Sequence, residues 1–370
     1  MDIERLKNNF ARIAMHGDEV PLHFYSDLFL KHPETRPMFP VSMQAQRAHL
    51  VDALATIVSS ADNVDNLAAF LRDLGRGHRK FGTLAAHYQA VGESLLATFA
   101  HFSGDSWDAE LAADWLAAYD LIAGIMTTAA QEDEQDHPAY WTGTVVGREW
   151  KAFDIVILTV RTEPRLEYLP GQSVGIESPA RPRLWRYYSI ANAPRPDGSV
   201  EFHVRLVDGG AVSMALIAAT SIGVELKIGP PVGVLRLDTA SGRDVVMVAG
   251  STGLAPLKAM LEQAAGLRQP PRVHFFFGAR HADGLYDLST LEKMAAEHPW
   301  LTVVPAVSDG RFEGQAGPVA DVVMRHGSWS GCDAYIAGPT EMVTDMAARL
   351  GAAGMPVTQI HVEDFGWSEP

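Results

Sequence analysis

Apolar residues in the first third of the chain recur at the spacing of amphipathic helices. Leu22 and Phe29 lie on one predicted helix face, and the runs 50–57 and 67–74 repeat the pattern. Proline and glycine punctuate these runs, and the alternation typical of strands is missing. We therefore predict six or more helices in a compact all-α domain over residues 1–133.

The pattern changes to short β-type runs further along the chain. Runs such as DIVILTVRTE and VEFHVRLV are rich in β-branched residues and are separated by turn residues. They predict a small antiparallel β-barrel over residues 140–238. Residues 240–370 alternate apolar runs such as DVVMVA with helix-like stretches, which predicts an α/β domain with a parallel sheet. The acidic segment 131–141 is predicted to be a linker or hinge.

Composition narrows the possible functions. The 370 residues carry a formal net charge of −15, which argues against nucleic-acid binding as the main activity. No run approaches about 20 uninterrupted apolar residues, so no transmembrane segment is predicted. The N-terminal residues do not have the pattern of a secretory signal. The single cysteine, Cys332, cannot form an internal disulfide, which is typical of a cytoplasmic protein.

His78 lies on the predicted buried face of its helix, four residues after Leu74. A core histidine bonded to a backbone carbonyl and an axial ligand to haem iron both fit this position. Earlier apolar helices, with Tyr25 and His49 on their inward faces, can supply the opposite wall for a flat macrocycle. The residues alone leave both interpretations open.

Two further stretches suit nucleotide cofactors. In RYYS, Arg186 and Tyr188 share one strand face, because successive strand residues point to opposite sides. A guanidinium that binds phosphate and a ring that stacks on a flat cofactor suit an aromatic dinucleotide, although an ordinary strand is the alternative. In AGSTGLAP, Gly250 and Gly253 precede a predicted helix whose free N–H groups either bind phosphate or belong to a structural turn.

The three regions together resemble the flavohaemoglobins, in which a globin is joined to a reductase of the ferredoxin-reductase type. HFYSDLFLKHPETRPMF, DNLAAFLRDLGRGHRKFG and HYQAVGESLLATF are similar to the globin module. LPGQSVGI, RYYS and DGGAVSMAL resemble the flavin domain, and AGSTGLAP, YIAGPTEMV and IHVEDFG resemble the nicotinamide domain. The resemblance implies haem b, FAD and NAD(P)H as cofactors.

In the globin region, the resemblance implies a set of residues around the haem. His78 matches the proximal iron ligand, Tyr25 the distal tyrosine and Phe39 the ring that wedges the haem. Tyr88 matches a tyrosine beside the proximal imidazole. By a count without gaps from Tyr25 and Phe39, the family's distal glutamine falls on His49.

In the reductase region, the resemblance implies that Arg186 holds the flavin pyrophosphate, Tyr188 stacks on the isoalloxazine and Ser189 bonds near its N5 edge. Arg280 either binds a ribose 2′-phosphate or lies in solvent, so the choice between NADH and NADPH as the electron donor stays open. The other flavin positions are Gln172, Gly210, Val212, Ser213, Glu363 and Phe365. The nicotinamide positions are Gly250, Thr252, Gly253, Pro256, Gly338 and Pro339.

Three positions depart from the family pattern. Ala130 stands where the family usually carries a glutamate that bonds the proximal imidazole, and its loss reduces the push on bound oxygen. This loss resembles the divergent second class of flavohaemoglobins. Ser173 replaces an aromatic residue after PGQ, and Ala337 replaces a cysteine of the nicotinamide pocket.

The order of the modules implies a path for electrons from NAD(P)H through FAD to haem iron. The expected function is that of a nitric oxide dioxygenase, a cytoplasmic monomer that converts nitric oxide and O2 to nitrate. Two alternatives stay open. One is a haem and flavin oxidoreductase with another electron donor or acceptor, and the other is a haem-based sensor of oxygen or nitric oxide.

Overall fold

The structure is a computed structural model that describes residues 1–310 and 312–365. Arg311 and residues 366–370, the end of the predicted third domain, lie outside the described residues. The chain forms two compact units, Met1–Tyr140 and a second unit that begins at Trp141. Within the described residues, no helix has both the length and the apolar character needed to cross a membrane.

The first unit is helical throughout. Its helices are α1 (Ile3–Ala14), α2 (Glu19–Lys31), α3 (Gln44–Ser59), α4 (Val64–His78), α5 (Ala85–Ser103) and α6 (Ala109–Asp136). Its core lies among α1, α2, α5 and α6, with Leu28 and Phe99 almost fully buried. Short polar side chains begin several of these helices, since Asn63 and Asp108 each accept a hydrogen bond from the backbone N–H three residues later. The prediction of an all-α domain is confirmed.

The prediction of a linker over residues 131–141 is wrong for its first half, because α6 continues to Asp136. The carboxylate of Asp133 pairs with Arg79, which directly follows α4. Arg79 also donates to the carbonyl of His137 at 2.9 Å. The acidic composition therefore belongs to a docked helix end, and only residues 137–140 separate α6 from the first strand.

The second unit begins with a six-stranded antiparallel sheet. The two end strands of this sheet meet through a bridge between Ile190 and Phe202, so the sheet closes into a barrel. The predicted antiparallel barrel is confirmed. Its elements are β1 (Trp141–Ala152), β2 (Ile155–Glu163), β3 (Ser173–Glu177), β4 (Trp185–Ser189), β5 (Ser199–Arg205), α7 (Ala211–Ala218) and β6 (Glu225–Val232), in the sheet order β4-β3-β6-β1-β2-β5.

The rest of the second unit is an α/β sandwich around a parallel sheet, as predicted. Helices α8 and α9 pack on one face of this sheet and α10 and α11 on the other. Its elements are β7 (Val245–Gly250), α8 (Leu254–Ala265), β8 (Val273–Ala279), α9 (Leu288–Glu297), β9 (Leu301–Val307), β10 (Gln315–Ala316), α10 (Val319–His326), β11 (Asp333–Gly338), α11 (Thr340–Ala352) and β12 (Ile360–Asp364).

The order of these strands defines where a ligand can bind. The sheet runs β10-β9-β8-β7-β11-β12, so the chain starts at β7, moves out to one side and then returns to the other. The order therefore reverses between β7 and β11. In open parallel sheets, ligands bind outside the carboxyl ends of the strands at such a reversal.

Candidate functional site

His78 is the last residue of α4 and is held in one tautomer. Its Nδ1 lies 2.7 Å from the carbonyl oxygen of Leu74, so Nδ1 must carry the proton and donate it. In the neutral ring, Nε2 then carries the lone pair that a metal requires. Burial lowers the pKa of His78, although the bond to Leu74 opposes this shift, so the imidazole is neutral near pH 7.

The position of His78 depends on close packing between α4 and α6. Gly75 lies so close to α6 that a Cβ there would stand 2.3 Å from the carbonyl oxygen of Met126. One turn later, Arg79 pairs with Asp133. Ala130 lies between Met126 and Asp133 on the same face of α6. It therefore faces the end of α4 that carries the imidazole.

The distal side is lined by aromatic rings. Tyr25 on α2 is 6% exposed, and its ring centroid lies 5.5 Å from that of Phe39 and 5.8 Å from that of Phe29. Its hydroxyl lies 3.4 Å from the backbone oxygen of Gln46 on α3. Burial raises the pKa of Tyr25 to about 12, so the phenol keeps its proton and stays a hydrogen-bond donor.

The sequence predicted that His49 lies on the inward face of α3, and this prediction is wrong. His49 is exposed, whereas Gln46 and Leu50 are half-buried and Leu50 packs against the core of the unit. Residues 40–43 do not belong to a helix, and α3 begins at Gln44. Gln46 is thus the polar residue of α3 beside Tyr25.

These helices fit a haem. No residue of α3 is fully buried, and its apolar side chains Leu50, Leu54 and Val58 are only partly covered. The hydroxyl of Tyr88 on α5 is buried, and the described residues offer it no hydrogen-bond partner. A neutral imidazole, a wall of half-covered apolar side chains and an isolated buried hydroxyl suit an axially ligated macrocycle.

The predicted flavin residues lie on β4 and its neighbours. Arg186 and Tyr188 share the half-buried face of the strand, while Tyr187 between them is 57% exposed. Arg186 donates through Nη1 to the carbonyl of Trp185 at 3.1 Å. Burial raises the pKa of Tyr188, so its phenol is neutral. One basic and one aromatic side chain on a common face fit the pyrophosphate and ring of a flavin nucleotide.

Ser189 connects this strand to the end of the chain. Its hydroxyl donates to Oε1 of Glu363 on β12 at 3.0 Å, while Oε2 of Glu363 is buried without a partner among the described residues. Burial raises the pKa of Glu363 to about 7. Phe365 donates its backbone N–H to the carbonyl of Gly338 at 3.0 Å. A hydroxyl of β4 and a protonatable carboxyl of β12 therefore lie together, and the backbone that follows β12 is bonded to the end of β11.

The PGQ segment and the turn after β5 are held by local bonds. The side chain of Gln172 accepts from the N–H of Leu169 at 2.9 Å. The hydroxyl of Ser213 accepts from the N–H of Val207 at 3.2 Å and donates to the carbonyl of Gly210 at 3.1 Å. Val212 is buried. The hydroxyl of Ser213 therefore shapes the turn, and the backbone N–H groups that open α7 are the donors suited to phosphate.

Three glycines bring the turns after β7 and β11 into backbone contact. A Cβ at Gly253 would lie 2.0 Å from the carbonyl oxygen of Ala337, and one at Gly338 would lie 2.8 Å from that of Gly250. Gly338 also has a φ of +150°, which an L side chain rarely adopts. Only glycine permits this approach, which occurs at the reversal between β7 and β11.

The remaining nicotinamide candidates surround that contact. Thr252 lies in the turn, Pro256 is buried in the first turn of α8, and Pro339 caps α11. Arg280 is exposed just after β8, and its carbonyl accepts from the N–H of Asp309 at 2.7 Å. The turn before α8 has no side-chain cap, so its N–H groups suit the pyrophosphate of a dinucleotide.

Sequence reasoning missed a group of buried charges beside this turn. Lys258 on α8 is 3% exposed and donates to the carboxylates of Glu201 and Glu262. The only signal in the sequence was a lysine within the apolar run LAPLKAML, four residues before a glutamate.

Comparisons with known proteins agree with this architecture. Residues 22–126 match the globin family, residues 144–237 match the oxidoreductase FAD-binding domain, and residues 247–348 match the oxidoreductase NAD-binding domain. These three matches define a haem globin joined to a flavin- and nicotinamide-dependent reductase. The predictions of haem, FAD and a nicotinamide dinucleotide as cofactors are confirmed at this level.

Several relatives resemble the chain along most of its length. A flavohemoprotein of Rhizobium meliloti is 29% identical and aligns over 96% of this chain and 94% of its own. The crystal structure of a flavohemoglobin from Malassezia yamatoensis with bound FAD and heme has the same fold, with a TM-score of 0.80, 18% identity and 98% of each chain covered. A reductase component of a naphthalene 1,2-dioxygenase system from Pseudomonas putida is 33% identical over 68% of this chain and 77% of its own. The chain belongs to the flavohaemoglobins.

Proposed function

We propose that this flavohaemoglobin is a nitric oxide dioxygenase. Its reductase half passes electrons from NAD(P)H through FAD to the globin. The further step, conversion of nitric oxide and O2 to nitrate, is supported mainly by one observation: the protonated hydroxyl of Tyr25 is buried on the distal side, beside α3.

When bound, haem supplies the site for O2, and FAD converts one hydride into two single electrons. The overall reaction balances as two nitric oxide and two O2 molecules with one NAD(P)H, giving two nitrate ions, NAD(P)⁺ and one proton. Nitric oxide is thereby oxidised, and each O2 takes one electron from the nicotinamide.

The distal residues stabilise negative charge on oxygen. Tyr25 donates from a buried, water-poor position, where a hydrogen bond to a developing anion is strong. Gln46, in the first turn of α3, is placed to provide a second donor through its side-chain amide. We propose Gln46 instead of His49 as the family's distal glutamine, because the hydroxyl of Tyr25 lies 3.4 Å from the backbone oxygen of Gln46 and His49 is exposed.

Stopped-flow mixing tests this function. The NAD(P)H-reduced protein is saturated with O2 and then mixed with nitric oxide, and nitrate is assayed together with oxidation of the haem. We expect nitrate in equal amount to the nitric oxide consumed. Oxidation of the haem without nitrate would remove the assignment.

A second candidate, a haem and flavin oxidoreductase with another donor or acceptor, is favoured by the proximal side. His78 donates to the neutral carbonyl of Leu74, and Ala130 faces it without a carboxylate. A neutral acceptor makes imidazole a weaker electron donor to iron than a carboxylate does. Assays of flavin reduction with NADH, NADPH and small organic acids separate the two candidates, since the second requires a donor that outpaces both nicotinamides or an acceptor other than nitric oxide.

Replacing Ala130 tests the proximal argument directly. A charge-assisted hydrogen bond is more stabilising than a neutral one by about 1 kcal/mol, which corresponds to a shift of about 40 mV in a one-electron reduction potential. We expect Ala130→Glu to lower the midpoint potential of the haem iron by about this amount, because a carboxylate acceptor stabilises the ferric state. Ala130→Gln has a similar size without the charge, and a potential equal to that of Ala130→Glu would contradict the argument.

We further propose that the protein is a cytoplasmic monomer, which the single cysteine, Cys332, supports for the compartment. Contact of Arg280 with a 2′-phosphate remains a proposal, supported by its exposed position after β8.

A further inference from the structure

Lys258 is a buried cation in the second turn of α8, directly after the glycine turn that suits the nicotinamide dinucleotide. Only 4% of its side chain is exposed. Its ammonium group donates to the carbonyl of Ala191 at 3.2 Å, to Oε1 of Glu201 at 3.2 Å and to Oε1 of Glu262 at 2.8 Å. An ammonium has three N–H donors, and each has a partner here.

The partners of Lys258 lead to the flavin strand. Ala191 follows Ser189 by two residues, and Ala193 donates its N–H to Oε2 of Glu262 at 3.0 Å. From the other side, the backbone of Ala191 donates to the carbonyl of Glu201 at 2.8 Å. We call Lys258, Glu262 and Glu201 the α8 clamp, because they hold the chain from Ala191 to Ala193 between α8 and β5.

A chain of polar contacts links Glu201 of the clamp, through His203 on β5, to the nicotinamide domain. The buried imidazole of His203 lies next to Glu201, with Nε2 3.5 Å from its Oε1, and its Nδ1 lies 2.6 Å from the hydroxyl of Tyr286. Burial alone would raise the pKa of Glu201, but the neighbouring His203 and the charges of Lys258 and Arg195 bring it well below its usual range. Glu201 is therefore charged near pH 7, and it lies between the two domains of the reductase.

Stability alone does not account for such a group. A buried ion pair is often no more stabilising than apolar residues of the same volume, because both ions lose their water. What directed bonds provide is a fixed register between the elements that they join. Here those elements are the helix that begins at the nicotinamide turn and the chain that leaves the flavin strand.

Hydride transfer is sensitive to this register. The C4–H bond of the nicotinamide breaks, the N–H bond of the reduced flavin forms, and the electron pair travels with the hydride. The two atoms must approach to about 3–3.5 Å, and a displacement of about 1 Å costs about 100-fold in rate. We propose that Lys258, through the α8 clamp, is a positioning residue that sets the approach of the nicotinamide to the flavin.

Lys258→Met tests the proposal, since methionine is close to lysine in length and lacks the charge. The holoenzyme is mixed with NADH without O2 or nitric oxide, and flavin bleaching is followed against NADH concentration. We expect the limiting rate to fall about 10- to 100-fold, with the dissociation constant of NADH changed less than about twofold. Lys293→Met, at an exposed lysine of α9, is the matched control and should behave as the unmodified protein.

Amide hydrogen exchange provides a readout that does not depend on turnover. In the oxidised protein without NADH, the amides of residues 190–193 should exchange faster in Lys258→Met than in Lys293→Met, because the clamp no longer holds them. If Lys258→Met loses FAD, Glu262→Gln is measured in the same way and should show smaller changes in the same direction. An unaltered limiting rate, a loss confined to NADH affinity, or unaltered exchange would each overturn the proposal. None of these measurements involves nitric oxide, so they are independent of the dioxygenase assignment.

Discussion

The contact between α4 and α6 can be tested by replacing Gly75 with alanine. The added Cβ would lie 2.3 Å from the carbonyl oxygen of Met126 and 2.7 Å from its Cα, whereas ordinary contact begins near 3.4 Å. The two helices would therefore have to separate by about 1 Å, since a packed interior offers little slack. Overpacking of this kind costs about 1–3 kcal/mol. His78 lies less than one turn further along α4, so the same displacement moves the iron ligand.

Urea unfolding and titration with haemin measure the two consequences. We expect Gly75→Ala to lower the free energy of unfolding of the globin unit by about 1–3 kcal/mol and to weaken haem binding. Gly124→Ala is the matched control, because Gly124 is an exposed residue of α6 with nothing within 4 Å of its Cβ position. It should be neutral or stabilising by up to about 1 kcal/mol. Equal stability and equal haem affinity in the two variants would refute the reasoning.

Two further predictions concern single polar groups. Burial raises the pKa of Glu363 from 4.5 to about 7 in the folded protein. Between these two pH values the folded protein keeps this proton and the unfolded chain loses it. The free energy of unfolding should therefore fall as the pH rises from about 4.5 to 7. Glu363→Gln should flatten that fall in urea titrations, and an unchanged profile would exclude the carboxyl as its source. Gln46→Leu should speed O2 release about tenfold or more, while His49→Leu should alter it less than about twofold. The opposite order in flash photolysis would restore His49 as the distal residue.

Local patterns were sufficient to predict the fold. Helical and strand periodicities depend on neighbours in sequence, so the globin helices, the antiparallel barrel and the parallel sheet were all predicted correctly. The linker over residues 131–136 was not, because acidic composition carries no information about Arg79, which lies 54 residues before its partner Asp133. This long-range ion pair lies in the last turn of α6, within the segment that the composition had marked as a linker.

The candidate site was predicted less completely, for two physical reasons. Counting residues predicts which side chains share a face within one helix, but it does not do so across an irregular segment. Residues 40–43 form such a segment between Phe39 and the start of α3. The count across that segment gives His49 as the distal residue, whereas the structure leaves His49 exposed and brings Gln46 beside Tyr25. The α8 clamp was missed because a lysine in an amphipathic helix is normally solvated. Its partner Glu201 lies 57 residues away, on another element.

The departures from the family pattern have unequal consequences. Ala337 replaces a cysteine on β11, but its carbonyl still receives the close approach of Gly253, and Ser189 still bonds Glu363. The alanine at position 337 thus leaves in place the backbone contact with Gly253 and the bond between Ser189 and Glu363, which shape the nicotinamide and flavin sites. Ala130, by contrast, offers no side-chain acceptor, and His78 donates to the carbonyl of Leu74. We therefore expect this flavohaemoglobin to differ from its relatives in the chemistry of its iron and to resemble them in the reduction of its flavin.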